Sequence, residues 1–144
     1  MELSCKSQYA LLALLELATR FNSGELTQIR QIAAHHDIPD RYLEQLLAIL
    51  KRGGLVSSQR GSKGGYRLAK EPQQITLLNI IDCLEGSHSA QPSVLCCLTP
   101  ENSIIQEVWQ EAHQVANSIL QKYTLKDLCE KLEVKRQVNL MYYI

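Results

Sequence analysis

Arg41, Lys51, Arg52, Arg60, Lys63, Arg67 and Lys70 place seven basic side chains within residues 41–70, where the one acid is Glu44. The whole chain balances 15 basic against 15 acidic residues, so the remainder is net acidic and the positive charge is concentrated in this stretch. A local basic surface on a neutral protein attracts a polyanion, and nucleic acid is the polyanion that best fits such a patch. A second set of residues could do a different chemistry. Cys5, Cys83, Cys96, Cys97 and Cys129 offer thiols for a metal or for redox exchange. Their number is odd and their spacing uneven, which argues against a disulfide scaffold.

The elements that must position the basic residues follow from their neighbours. Tyr42, Leu43, Leu46, Leu47 and Leu50 recur at three- and four-residue intervals, so residues 39–52 predict a helix with Arg41, Glu44, Gln45, Lys51 and Arg52 on its outer face. Pro39 suits the first helical turn, and Gly53-Gly54 supplies a left-handed stop. Leu55 to Ser58 then reads as a strand, Arg60 to Gly65 as a glycine-rich turn and Tyr66 to Leu68 as the returning strand. A helix that runs directly into a hairpin tipped by Arg60 and Lys63 is the layout of a winged helix-turn-helix.

Upstream, Ser7 to Phe21 predicts a core helix capped by Ser4 or Ser7, and Asn22-Ser23-Gly24 breaks it. Thr27 reads as the cap of a helix over Gln28 to His36, which with the turn Asp37-Ile38-Pro39 completes the helix-turn-helix. In that arrangement the second helix enters the major groove with its first residues nearest the bases. Arg41 and Gln45 are then the side chains for base edges, since arginine pairs with guanine and glutamine with adenine in bidentate fashion. Asp40 shares that early exposed face, and Tyr42 is placed to turn either into the core or toward phosphate. Lys51 and Arg52 close the helix. Arg60, Ser62, Lys63, Gly64, Gly65 and Tyr66 form the wing that meets phosphate or the minor groove, with Gln28 and Arg30 adding backbone contacts.

Beyond the wing, Thr76 caps a predicted packing helix, Leu77 to Leu84. Thr99-Pro100-Glu101 is a second helix start, followed by an apolar stripe through Ile104, Ile105, Val108, Trp109, Ala112, Val115, Ala116, Ile119 and Leu120. That stripe is longer than a small winged domain needs, and its surplus predicts pairing with a second copy. Thr124 caps a short last helix, Leu125 to Leu132. The expected fold is therefore mainly α with a small β-hairpin wing. A winged domain over residues 1–84 would hold the helix-turn-helix at about 28–52 and the wing at about 55–69. A cysteine-containing loop over 85–99, a dimerisation helix with a short packing helix over 100–133 and a tail over 134–144 would follow.

Other function classes have less support. No apolar run is long enough to span a bilayer and Met1 to Gln8 is polar, which predicts a cytoplasmic protein with no membrane partner. An enzyme would want a phosphate-cradling loop ahead of a lysine, a nucleophile elbow or a metal-binding histidine pair, and none is read here. His35, His36, His88 and His113 are scattered, and His35-His36 at a helix end predicts an interaction with the helix C-terminus. The alternative of another class is a protein–protein module in which the winged fold docks a regulatory protein and the basic patch is incidental.

The run YLEQLL followed by LKRGGLVSSQRGSKGGYRLAK resembles the signature of the Rrf2 family of bacterial winged helix-turn-helix transcription regulators. The resemblance extends from Lys6 to Ala10, through the wing, to Thr124 to Leu128; Pro39 departs from it, standing where relatives often have serine. It implies a homodimer whose recognition helices and wings address a two-fold double-stranded DNA operator. Several members also hold an iron–sulfur cluster through three cysteines separated by five residues and one ligand from the following helix. In an ungapped register from Trp109 and Thr124 those positions are Gln91, Cys97, Ser103 and Gln106, so one cysteine of the pattern is present. Three readings of Cys96-Cys97 stay open on residues alone: cluster ligation in a shifted register, a reversible thiol switch, and a loop without sensory chemistry in a regulator controlled by a partner protein. Cys5, Cys83 and Cys129 are expected to be structural.

Overall fold

The structure is a computed structural model that describes residues 2–86 and 99–142. In chain order the described elements are α1 (Cys5–Thr19), α2 (Ile29–His36), α3 (Asp40–Arg52), β1 (Val56–Gln59), β2 (Gly65–Leu68), α4 (Leu77–Glu85), α5 (Pro100–Lys122) and α6 (Leu125–Tyr142), with one-turn 3-10 segments at Phe21–Ser23 and Pro72–Gln74. The expected class, mainly helical with one small hairpin, is the observed one.

The core forms where the apolar stripes converge. Ala10, Ala13, Leu14 and Leu17 of α1, Ile32 of α2, and Leu43, Leu46, Leu47 and Leu50 of α3 are buried together with Val56, Leu68, Ile75, Ile80 and Leu125. Each fully buried leucine contributes about 1.5–3 kcal/mol relative to its exposed state, and four of them on α3 hold the recognition helix against α1 and α4. Ser4 Oγ accepts the Ser7 amide at 3.1 Å and so caps α1. The hydroxyls of Ser4 and Ser7 also donate to Glu85 Oε1, each at 3.1 Å, while Lys6 Nζ donates to the Leu84 carbonyl at 2.7 Å. The start of α1 is thereby tied to the end of α4.

Several boundaries differ from expectation for visible reasons. Thr27 does not cap α2; it is fully buried and pairs with Tyr66, so the helix starts one residue later behind Gln28, whose amide donates to Gln31 Oε1 at 3.1 Å. Pro39 precedes α3 and stands at its N-cap. At the far end Gly53 keeps a right-handed backbone and Gly54, at φ 77°, makes the left-handed stop. Helix α6 does not stop at Leu132. It continues to Tyr142, so the expected short helix and the tail are one element; no glycine or proline interrupts residues 125–142. His35 and His36 turn away from the helix terminus toward Glu16 of α1, the buried acid beside them.

Two further junctions set the outer helices. The Leu77 amide donates to the Tyr123 carbonyl and the Leu125 amide to the Ile75 carbonyl, each at 3.0 Å, so the start of α4 and the start of α6 are clipped backbone to backbone. Thr124 and Asp127 then cap α6 reciprocally: the Thr124 amide donates to Asp127 Oδ2 at 2.9 Å and the Asp127 amide to Thr124 Oγ1 at 3.3 Å. None of the described helices is long and apolar enough to cross a membrane.

Candidate nucleic-acid interface

The hairpin is short, and its partner residues explain how it is aimed. Val56 faces Leu68, Ser57 faces Arg67, Ser58 faces Tyr66 and Gln59 faces Gly65 across the antiparallel pair. Val56 and Leu68 are buried against α1 and α3. Two backbone hydrogen bonds, from the Thr27 amide to the Tyr66 carbonyl at 2.9 Å and back from the Tyr66 amide at 2.8 Å, then fix the returning strand beside the residue that leads into α2. Lys51 Nζ donates to Ser58 Oγ at 2.6 Å, which ties the last turn of α3 to the outgoing strand. Wing and helix-turn-helix are therefore one surface.

That surface contains an open groove of about 560 Å³ lined by Gln28, Arg30, Glu44, Lys51, Ser58, Gln59, Arg60, Gly64, Gly65 and Tyr66, among others. The sequence placed Gln28, Arg30, Lys51, Arg60, Gly64, Gly65 and Tyr66 in the interface, and the fold brings these seven to one groove although they span residues 28 to 66. Three cations, Arg30, Lys51 and Arg60, face Glu44 as the single acid in the lining. Asp40, Arg41 and Gln45 are exposed on α3. Arg60, Ser62 and Lys63 are exposed at the hairpin tip.

Other candidates are placed differently. Tyr42 is half-buried, packed against the core with its ring edge-on to Tyr9 at 5.8 Å between centroids, so its body belongs to the α1–α3 contact. Gly64 is buried, and a side chain there would run into the backbone of Gln59 and Arg60; a Cβ on Gly65 would lie 2.8 Å from the Thr27 carbonyl oxygen. These glycines shape the wing. Arg52 leaves the groove and lines a depression with Asn79, Asp82 and Cys83 on the α4 side. Arg67, on the strand face opposite Tyr66 by pleat alternation, lines a hollow beside Arg20 and Phe21. Ser58 and Gln59 are not among the interface residues expected from the sequence; their position across from Tyr66 and Gly65 in a hairpin register is the signal that could have placed them there.

Of the cysteines, Cys96 and Cys97 lie outside the described residues. Cys83 and Cys129 are half-buried, and burial pushes both thiols above their usual range, with Arg52 and Lys6 opposing the shift at Cys83 and Glu130 adding to it at Cys129. Cys5 is exposed, contrary to the structural role expected of it. Among the described residues, the side chains that gather three metal-ligand atoms within reach of one ion are Glu16, His35 and His36, a set without a cysteine.

A hairpin fixed to a helix-turn-helix by backbone pairing narrows the fold to winged-helix proteins, and sequence comparison decides the family. Residues 3–131 match Rrf2, described as an iron-dependent transcriptional regulator. The chain belongs to the Rrf2 family. It is 34% identical over 142 residues to the HTH-type transcriptional regulator CymR of Bacillus subtilis, covering 99% of each chain. A 91-residue segment is 41% identical to the HTH-type transcriptional regulator IscR of Cereibacter sphaeroides, covering 62% of this chain and 59% of that one. Among solved structures, CymR of B. subtilis superposes with a TM-score of 0.78 at 35% identity, covering 91% of this chain and 98% of the other. IscR of T. potens gives the same TM-score at 33% identity, with 92% and 88% covered. As an Rrf2 protein the chain is a winged-helix transcription regulator, and the reading of the wing as an incidental protein-docking module is not favoured.

Proposed function

We propose that this Rrf2 regulator binds a two-fold double-stranded DNA operator sequence-specifically as a homodimer in the cytoplasm, without catalysis of its own. The observation that carries the reading is the groove in which the α2 start, the α3 end and the wing present Arg30, Lys51 and Arg60 to one ligand. Phosphates neutralised by these cations and by Lys63 supply affinity that falls with salt. Specificity comes from Arg41 and Gln45 on the exposed first turns of α3, since base edges carry the information that phosphates lack. Asp40 and Ser62 border these contacts, and Glu44 is suited to accept from a cytosine amino group.

Support for the second copy comes from α5. Ile104, Ile105, Val108, Trp109, Val115 and Ile119 are each more than half exposed along one helix, an apolar surface larger than a monomer ordinarily leaves in water. Cys96 and Cys97 supply the thiols for a redox, thiol or iron–sulfur sensory input in this reading.

Selection of bound genomic fragments, followed by titration of the recovered site against scrambled DNA, tests the assignment. Arg41→Ala should narrow the gap between the recovered site and scrambled DNA, whereas Lys63→Ala should weaken both about equally. Equal effects of the two substitutions on specificity would overturn the division of labour. No affinity for any duplex would overturn the reading itself.

A further inference from the structure

The histidines expected to interact with their own helix terminus converge instead on a buried acid. Glu16 sits in the last turn of α1, its side chain 5% exposed, while His35 and His36 occupy the last turn of α2. His35 Nδ1 lies 3.0 Å and His36 Nε2 2.8 Å from the same carboxylate oxygen, Oε2. The three ligand atoms all lie within 4.8 Å of one another. Arg20 takes the other oxygen, its guanidinium 3.3 Å from Glu16 Oε1, so the charge of the acid is already balanced and one oxygen is left for the imidazoles.

A hydrogen bond from His35 accounts for one of those contacts. His36 is harder to account for: its Nε2 is buried and makes no hydrogen bond despite the 2.8 Å separation. A buried imidazole nitrogen beside a carboxylate but without a hydrogen bond to it is costly unless a further partner engages its lone pair. Two donor atoms each about 2.1 Å from one ion stand about 3.0–3.4 Å apart at octahedral or tetrahedral angles; the 3.0 Å contact falls in that range and the 2.8 Å contact just short of it. Two imidazoles and one carboxylate are also a familiar ligand set with coordination positions left over. Beside the set is a cavity of about 230 Å³ whose walls include Thr19, Leu132 and Arg136, giving room for water as a further ligand.

We propose that Glu16, His35 and His36 form a binding site for one divalent transition-metal ion, which clamps α1 to the end of α2. The nearby Arg20 and Arg136 select the class. Two guanidinium groups disfavour a hard cation such as calcium or magnesium, held largely by charge, whereas zinc, cobalt(II), nickel or iron(II) gain from nitrogen ligation that the arginines do not remove. The clamp acts immediately before Asp37, whose left-handed backbone at φ 53° turns the chain into the recognition helix. The site is independent of the DNA-binding assignment and of Cys96-Cys97.

The test uses the full chain, stripped with a chelator and titrated with cobalt(II) while its visible d–d absorption is followed, then competed with zinc and melted with and without the metal. The expected result is one saturable equivalent per chain without a sulfur-to-cobalt charge-transfer band, and a higher melting temperature when the metal is bound. His35→Ala, at a side chain 58% exposed, should leave the fold intact by circular dichroism. It should weaken cobalt binding roughly tenfold or more, since even the loss of a ligand's supporting partner costs about that much; His36→Gln should do the same. Absence of saturable binding overturns the proposal, as does binding that shows thiolate charge transfer and is unchanged in both variants.

Discussion

Thr27 and Tyr66 exchange both of their backbone hydrogen bonds, at 2.9 and 2.8 Å, and this single bridge welds the wing to the entry of the helix-turn-helix. It requires close approach at Gly65, where a Cβ would lie 2.8 Å from the Thr27 carbonyl oxygen and 3.2 Å from Leu26 Cβ. Gly65→Ala should therefore lower stability by about 1–3 kcal/mol, the usual cost of overpacking, and weaken DNA binding by tilting the wing. Urea unfolding and a titration at fixed salt check both; an unchanged midpoint would show that the bridge yields without cost.

Lys51 raises a separate question, because its ammonium is shared between Ser58 Oγ and the groove. Lys51→Met keeps most of the aliphatic stem and removes the charge. The slope of log affinity against log salt should become shallower by about 0.9, the contribution of one neutralised phosphate. Ser58→Ala should leave that slope in place. An unchanged slope in Lys51→Met would mean that the lysine only braces the wing.

Ile105 on α5 is 63% exposed within the apolar stripe. Ile105→Glu places a charge in any interface built from that stripe, so light scattering should find monomers where the parent chain is dimeric, with helix content unchanged. Binding to a two-fold site should fall much further than binding to random duplex. A parent chain that is itself monomeric would remove α5 as the dimer contact.

Thiol reactivity should divide by environment. Cys5 is exposed. Cys83 and Cys129 are half-buried with pKa values raised above the ordinary 9.0, so their reactive thiolates form only in alkaline solution. Alkylation at neutral pH followed by mass spectrometry should modify Cys5 ahead of Cys83 and Cys129, which catch up as pH rises past 9.0. The same sign predicts a loss of stability in that range, because the unfolded chain releases these protons at lower pH than the folded one. Rapid neutral alkylation of Cys83 would contradict its burial.

The helix-turn-helix and wing were legible because their signals are local: leucine periodicity in α3, paired glycines at its end, and a polar turn between two short strands. The same locality explains what was missed. Thr27 reads as a cap by type, yet a strand nearly forty residues downstream takes its backbone, and no local pattern announces that pairing. Val134 to Tyr142 continues α6 without breakers, but with so little apolar periodicity that it read as a tail. His35 and His36 read as partners of their own helix terminus because Glu16 lies on a different helix; only folding brings the three together. Conversely, Arg52 and Arg67 count toward the basic stretch in sequence but leave the groove, one by its place on the helix and the other by strand alternation.

Helix α1 is held at both ends by side chains rather than by packing alone. Its first turn grips the last residues of α4 through Ser4, Lys6 and Ser7, directly ahead of residues 87–98 that carry Cys96 and Cys97. Its last turn grips the end of α2 through Glu16. Fifteen residues of helix make a rod about 22 Å long. The rod spans from the end of α4 to the end of α2, so its length sets how far Glu85 stands from the turn at Asp37.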